Sequence, residues 1–126
     1  MSIMADVRQY IEDAGLATGY TWRYGRMMGV DSTSQYRFIM LRQMGEGASD
    51  IHVQRINVLI MIAGGTESDV QAIDTLGDEV VRLFRSIGYA GDTFRFEVVG
   101  GKNGPFFLES NKPYYEVNVT AYTENY

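Results

Sequence analysis

The sequence predicts an α+β fold in which an antiparallel or mixed β-sheet of about five strands carries two helices packed on one face. Three observations predict it. Five stretches alternate apolar and polar residues with the period of a strand. Two stretches repeat apolar residues every three or four positions, the period of a helix. The elements follow one another as α-β-β-β-α-β-β, so adjacent strands come in runs, which favours antiparallel pairing over a helix after every strand.

The first element is a helix over Ile3 to Ala14, because Ile3, Val7, Tyr10, Ile11 and Ala14 recur on one face. Gly15 supplies a residue that ends a helix in the left-handed conformation. Tyr20, Trp22 and Tyr24 then alternate with Thr21 and Arg23, a strand signal strengthened by aromatics. Gly25 to Gln35 reads as a loop, Tyr36 to Gln43 as the second strand and Gly45 to Asp50 as a flexible connection. Val53 to Ile62 is rich in β-branched residues and places Ile56, Val58, Ile60 and Ile62 on one face, which makes it the third strand.

Gly64 and Gly65 break that strand, and Thr66 with Asp69 resembles a capping box. Val70, Ile73, Leu76, Val80, Leu83, Phe84 and Ile87 form a helical stripe, so the second helix is expected over Glu67 to Ile87 with Gly88 as its cap. Acidic residues lie near its start and Arg82 and Arg85 near its end, complementing the helix dipole. Gly77 sits inside it at a cost of about 1 kcal/mol against alanine, which points to close packing there. Phe94, Phe96 and Val98 make the fourth strand, and Gly100 to Pro113 is expected to be a long loop with a tight turn at Asn103-Gly104. Tyr115, Val117, Val119 and Ala121 make the last strand. The expected core is Ile56, Val58, Ile60, Val80, Leu83, Phe96 and Val117.

The chain is 126 residues long, enough for one domain (1–126) and one ordinary core. It has no cysteine, which excludes disulfide scaffolds, thiolate nucleophiles and cysteine-ligated zinc. Its opening residues lack the basic-then-apolar pattern of a signal peptide, and the longest apolar run, Val58 to Ala63, suits a buried strand, so no membrane partner is expected. The net charge is −5 and the basic residues are scattered, against the basic stripe of a sequence-specific nucleic-acid binder.

No catalytic constellation emerges, and no enzyme, cofactor or metal is expected. The one histidine, His52, has no second His or Cys to complete a metal site or triad. Gly100-Gly101-Lys102-Asn103-Gly104 lacks the Gly-Lys-Ser/Thr ending of a phosphate loop and precedes no helix. Asp74 and Asp78 stack one turn apart on the second helix. They could hold a proton or a metal, form a solvated face, or meet a partner's arginine.

The interface signal is stronger. Trp22, Arg23, Tyr24 and Arg26 combine the residue types enriched at protein interfaces, and Phe106 and Phe107 stand in the expected loop after Pro105. Of the 11 basic residues only Lys102 and Lys112 are lysine.

The amphipathic first helix, the strand Arg55 to Ile62, the long helix Glu67 to Ile87 and the ending Gly104-Pro105-Phe106-Phe107-Leu108, polar turn, Tyr114 to Val119 resemble the tail terminator (tail completion) proteins of long-tailed bacteriophages, including the lambdoid type. The resemblance covers nearly the whole chain and rests on element order, length and the closing hairpin. It implies a structural virion protein that forms a ring, a hexamer in that family, capping the tail tube, stopping its polymerisation and joining tail to head. The implied partners are the chain itself, the tail tube protein and a head-completion protein. The implied location is the virion at the head–tail junction, after a stage in the host cytoplasm. The alternatives are a head–tail connector or baseplate protein, a ferredoxin-like domain binding a small effector, and, third, an enzyme using Asp74, Asp78 or His52.

Overall fold

The computed structural model describes residues 3–25, 36–46, 53–108 and 111–124. Arg26, His52 and most of the two expected connections, Gly25 to Gln35 and Gly45 to Asp50, lie outside the described residues. The elements are α1 (Ile3–Asp13), β1 (Thr21–Tyr24), β2 (Phe38–Glu46), β3 (Val53–Ala63), a 3₁₀ turn at Glu67–Asp69, α2 (Val70–Arg85), β4 (Thr93–Phe107) and β5 (Pro113–Glu124). The five strands form one mixed sheet in the order β1-β2-β3-β5-β4, with β1 parallel to β2 and every other pair antiparallel.

Both helices pack on the same face, as their apolar stripes require. Val7 and Ile11 of α1 and Ile73, Leu76, Val80, Val81 and Phe84 of α2 are buried against Ile39, Leu41, Val58, Ile60, Ile62, Val117 and Val119. Alternation within each strand then sends the other set to the opposite face, where Phe38, Met40, Met61 and Ala63 form a second, smaller cluster bordered by Leu108 and Tyr114.

α1 ends where the glycine predicts. Gly15 has φ +76°, its N–H reaches Glu12 O at 2.9 Å, and the Leu16 N–H reaches Ile11 O at 3.3 Å. α2 starts and stops differently from expectation. Its first three residues are the tighter 3₁₀ turn, and it ends at Arg85, so Ile87 is fully exposed and Gly88 is not the cap. The physical reason is that the last carbonyls are satisfied otherwise. The Ser86 N–H donates to Leu83 O at 3.2 Å, the Ser86 hydroxyl to Arg82 O at 3.3 Å, and the Tyr10 hydroxyl to Leu83 O at 3.4 Å. Gly88 instead makes room for Tyr10, since a Cβ there would fall 1.8 Å from the tyrosine oxygen. Leu83, expected in the core, is only partly buried at the flank of the stripe, and Phe84 takes the central place. Tyr10, Phe84 and Phe96 close into an aromatic triad with centroids 4.8–5.2 Å apart.

The largest correction concerns Gly100 to Pro113. It is not a loop. β4 continues through it to Phe107 and pairs with β5 down to Pro113. Register shifts between Val99 and Lys102 and between Asn103 and Phe106 absorb the glycines as bulges. Asn103 pairs with Glu116 rather than forming a turn. The reversal comes later, where Leu108 N–H bonds Lys112 O and Asn111 N–H bonds Leu108 O, with Asn111 at φ +62°. Local turn chemistry lost to a long, regular partner strand.

Candidate assembly surfaces

Lys102 stands between the two carboxylates of α2. The second bulge region of β4 aims its side chain at the helix. Its ammonium donates to the Asp74 carboxylate and to Asp78 Oδ1, the latter at 2.8 Å, and lies 4.7 Å from the centre of the Tyr115 ring. Its side chain is 17% exposed against 32% for Asp74 and 59% for Asp78. Burial alone would lower the Lys102 pKa, but the two carboxylates outweigh it and hold it above the ordinary lysine value. The hydrogen bond from Lys102 likewise holds Asp74 below the usual aspartate value, against a smaller opposing effect of desolvation. Burial, with Asp74 beside it, raises the Tyr115 phenol. The carboxylate pair offered by the sequence is therefore bridged within the chain, by a cation 28 residues from Asp74 and 24 from Asp78. Among the described residues no group of three His, Cys, Asp or Glu gathers to hold a metal.

The aromatic and arginine segment is split by the pleat. Trp22 is partly buried against the main core under Arg8, whose guanidinium lies 5.3 Å from the indole centre. Arg8 also donates to the Tyr24 hydroxyl at 3.1 Å. Arg23 points to the opposite face and stacks 5.0 Å from the Phe38 ring. Trp22 and Arg23 thus serve opposite faces of one edge strand. Phe106 and Phe107 stand near the end of β4, 41% and 55% exposed, with Phe106 5.3 Å from Tyr114.

A second cluster was missed in the sequence. On the face away from the helices, Arg55 and Arg95 lie 5.7 and 5.2 Å from the Tyr122 ring, and the Tyr122 hydroxyl donates to Glu97 at 3.3 Å. Its members come from three strands, so only the register β3–β5–β4 brings them together. The visible hints were the alternation of Arg95 and Glu97 and the aromatic Tyr122 at an expected surface near the C-terminus.

At the other end of the sheet, Asp69 ties three elements. Its carboxylate accepts from Gly65 N–H at 2.8 Å, Thr66 N–H at 3.2 Å and Arg37 Nη2 at 2.8 Å. The Arg37 bond foremost, with the two backbone donors, holds Asp69 below the usual aspartate range.

The two sheet edges differ in kind. β1 is short and flanked by α1; β4 is long and flanked by the end of α2, with Phe94, Val99, Phe106 and Phe107 exposed. Among the described residues no helix is long and apolar enough to cross a membrane. Over residues 1–125 the sequence matches the family model described as phage tail termination protein. No curated protein matches it.

Proposed function

Since the chain belongs to the phage tail termination family, a structural component of the phage tail, we propose that it closes the end of a tail tube as a ring of identical subunits, halts tube growth and offers its other side to the head. The family match over nearly the whole chain carries this reading. Two further observations support it. A ring needs two different, complementary surfaces on each subunit. The sheet has two unlike edges, β1 and β4, at its opposite ends. The net charge of −5 suits a lumen through which DNA passes without sticking, since like charges repel at short range.

The partners of the ring are then the tail tube protein on one side and a head-completion protein on the other. Phe106 and Phe107 are exposed for such contacts, while Trp22, Arg23 and the Tyr24 hydroxyl are engaged within the subunit. The test adds the protein to polymerising tail tube protein. Capped ends and a fixed tube length are expected. A protein that neither binds tube ends nor changes the length distribution overturns the reading.

A further inference from the structure

We propose that the regular stretch Arg95 to Val99 of β4, with the groove beside it, receives the β1 edge of a second copy of this chain, so that neighbouring subunits share one continuous sheet. The inference deepens the ring reading and rests on it for closure, but the contact itself follows from the fold.

Direction comes first. β1 runs with β2, β2 against β3, β3 against β5 and β5 against β4. β1 and β4 therefore point in opposite directions. Copies laid side by side with their helices on the same face bring β1 of one against β4 of the next in antiparallel pairing, the better-bonded arrangement. The edges are different surfaces at opposite ends of the sheet, so the contact is heterologous and repeats from copy to copy.

Length and shape agree. β4 is interrupted between Thr93 and Arg95, between Val99 and Lys102 and between Asn103 and Phe106, and bulges of this kind guard an edge against pairing. The longest uninterrupted run is the five residues Arg95 to Val99, and β1 has four residues. Against that same run, on the helix face, lies a groove of about 490 Å³ lined by Phe84, Arg85, Ile87, Phe96 and Val98 among others. The β1 residues on the helix face are Trp22 and Tyr24. Tyr24 is 46% exposed with its hydroxyl held by Arg8 at 3.1 Å, so its ring is presented in place to such a groove.

Charge agrees as well. Arg82 and Arg85 are exposed at the end of α2, and neither forms an ion pair among the described residues. Beside β1, Asp13 is exposed at the end of α1 and forms no ion pair among the described residues, while its exposed neighbour Glu12 is held by Arg8 at 2.9 Å. A carboxylate helix end of one copy then meets an arginine helix end of the next, which sets register and orientation.

The chain has no cysteine, so introduced thiols report unambiguously. In the antiparallel register that places Thr21 opposite Val99, a mixture of Thr21→Cys and Val99→Cys proteins should form mixed disulfide dimers on mild oxidation, well above the dimers either variant forms alone. Arg85→Glu should weaken association about tenfold, and adding Asp13→Arg in the same chain should restore it. Rings that form without mixed disulfides, and with no response to the charge exchange, overturn this contact and leave the ring reading standing. A protein that stays monomeric at every concentration, with tube protein present, overturns both.

Discussion

Gly77 of α2 and Lys102 of β4 occupy one space: a Cβ on residue 77 would sit 2.6 Å from Lys102 Cδ and 3.3 Å from its Cγ. The glycine that weakens the helix is thus the gap through which the lysine stem passes on its way to Asp74 and Asp78. Gly77→Ala should destabilise the protein by about 1–3 kcal/mol through overpacking, despite the better helix propensity of alanine. With Lys102→Ala in place, the same change should become stabilising by up to about 1 kcal/mol. Urea unfolding of the four proteins of this cycle reads the sign change, and a stabilising Gly77→Ala in the natural background refutes the relationship.

Acid should probe the same bridge. Asp74 has its folded pKa depressed, so its contribution is present above the unfolded aspartate pKa and is lost as pH falls through the lower folded value. Lys102 has a raised pKa, so its share is present below the ordinary lysine pKa and is lost as pH rises through the folded value. Lys102→Met keeps the stem and removes the charge. It should flatten stability against pH at both the acid and the alkaline end and lower neutral stability by the same amount, a small one because the carboxylates are solvent-screened. Unchanged pH profiles would show that the bridge carries no stability.

Asp69 should matter more than its place in a turn suggests. Asp69→Ala frees two backbone donors and Arg37 together, and should cost roughly 1–2 kcal/mol. The depressed pKa means that this contribution, too, is present above the ordinary aspartate range and disappears as pH falls below it. A variant within a few tenths of a kcal/mol of the parent in chemical denaturation counts against the cap.

Neighbouring residues of α2 should respond very differently to truncation. Phe84 is 1% exposed and packs on Tyr10 and Phe96, so Phe84→Ala should cost about 3–5 kcal/mol. Leu83 is only partly buried and should cost less than about 2 kcal/mol. Equal losses would mean that the helix is rotated from the orientation described.

Gly88→Ala should destabilise by about 1–3 kcal/mol because the methyl group meets the Tyr10 hydroxyl and ring. In a Tyr10→Ala background the same change should be close to neutral. A thermal or chemical denaturation cycle checks the coupling.

Local periodicity dictates which face of each element is buried, because side-chain direction repeats with the local period. Val58, Ile60 and Ile62 fall on the helix side, with buried Ile56 opposite Ala121 on the same face, Val7 and Ile11 fall under α1, and the α+β class follows from the order of such segments. The turn at Gly15 was legible for the same reason, since a left-handed glycine is a local event. Even the separation of Trp22 from Arg23 was present in the alternation, although a shared interface reading had grouped them.

What each face meets depends on contacts between distant segments. Asn103-Gly104 reads locally as a turn, but Lys102, Asn103, Phe106 and Phe107 pair with β5, and bulges take up the glycines. Asp74 and Asp78 leave a site, a solvated face and a partner's arginine all open until Lys102 arrives from another strand, and Gly77 signals close packing without naming the lysine that packs there. The Tyr122 cluster exists only in one strand register. Periodicity records which way a residue points, whereas partners are chosen by pairings between distant segments whose energies no local pattern encodes.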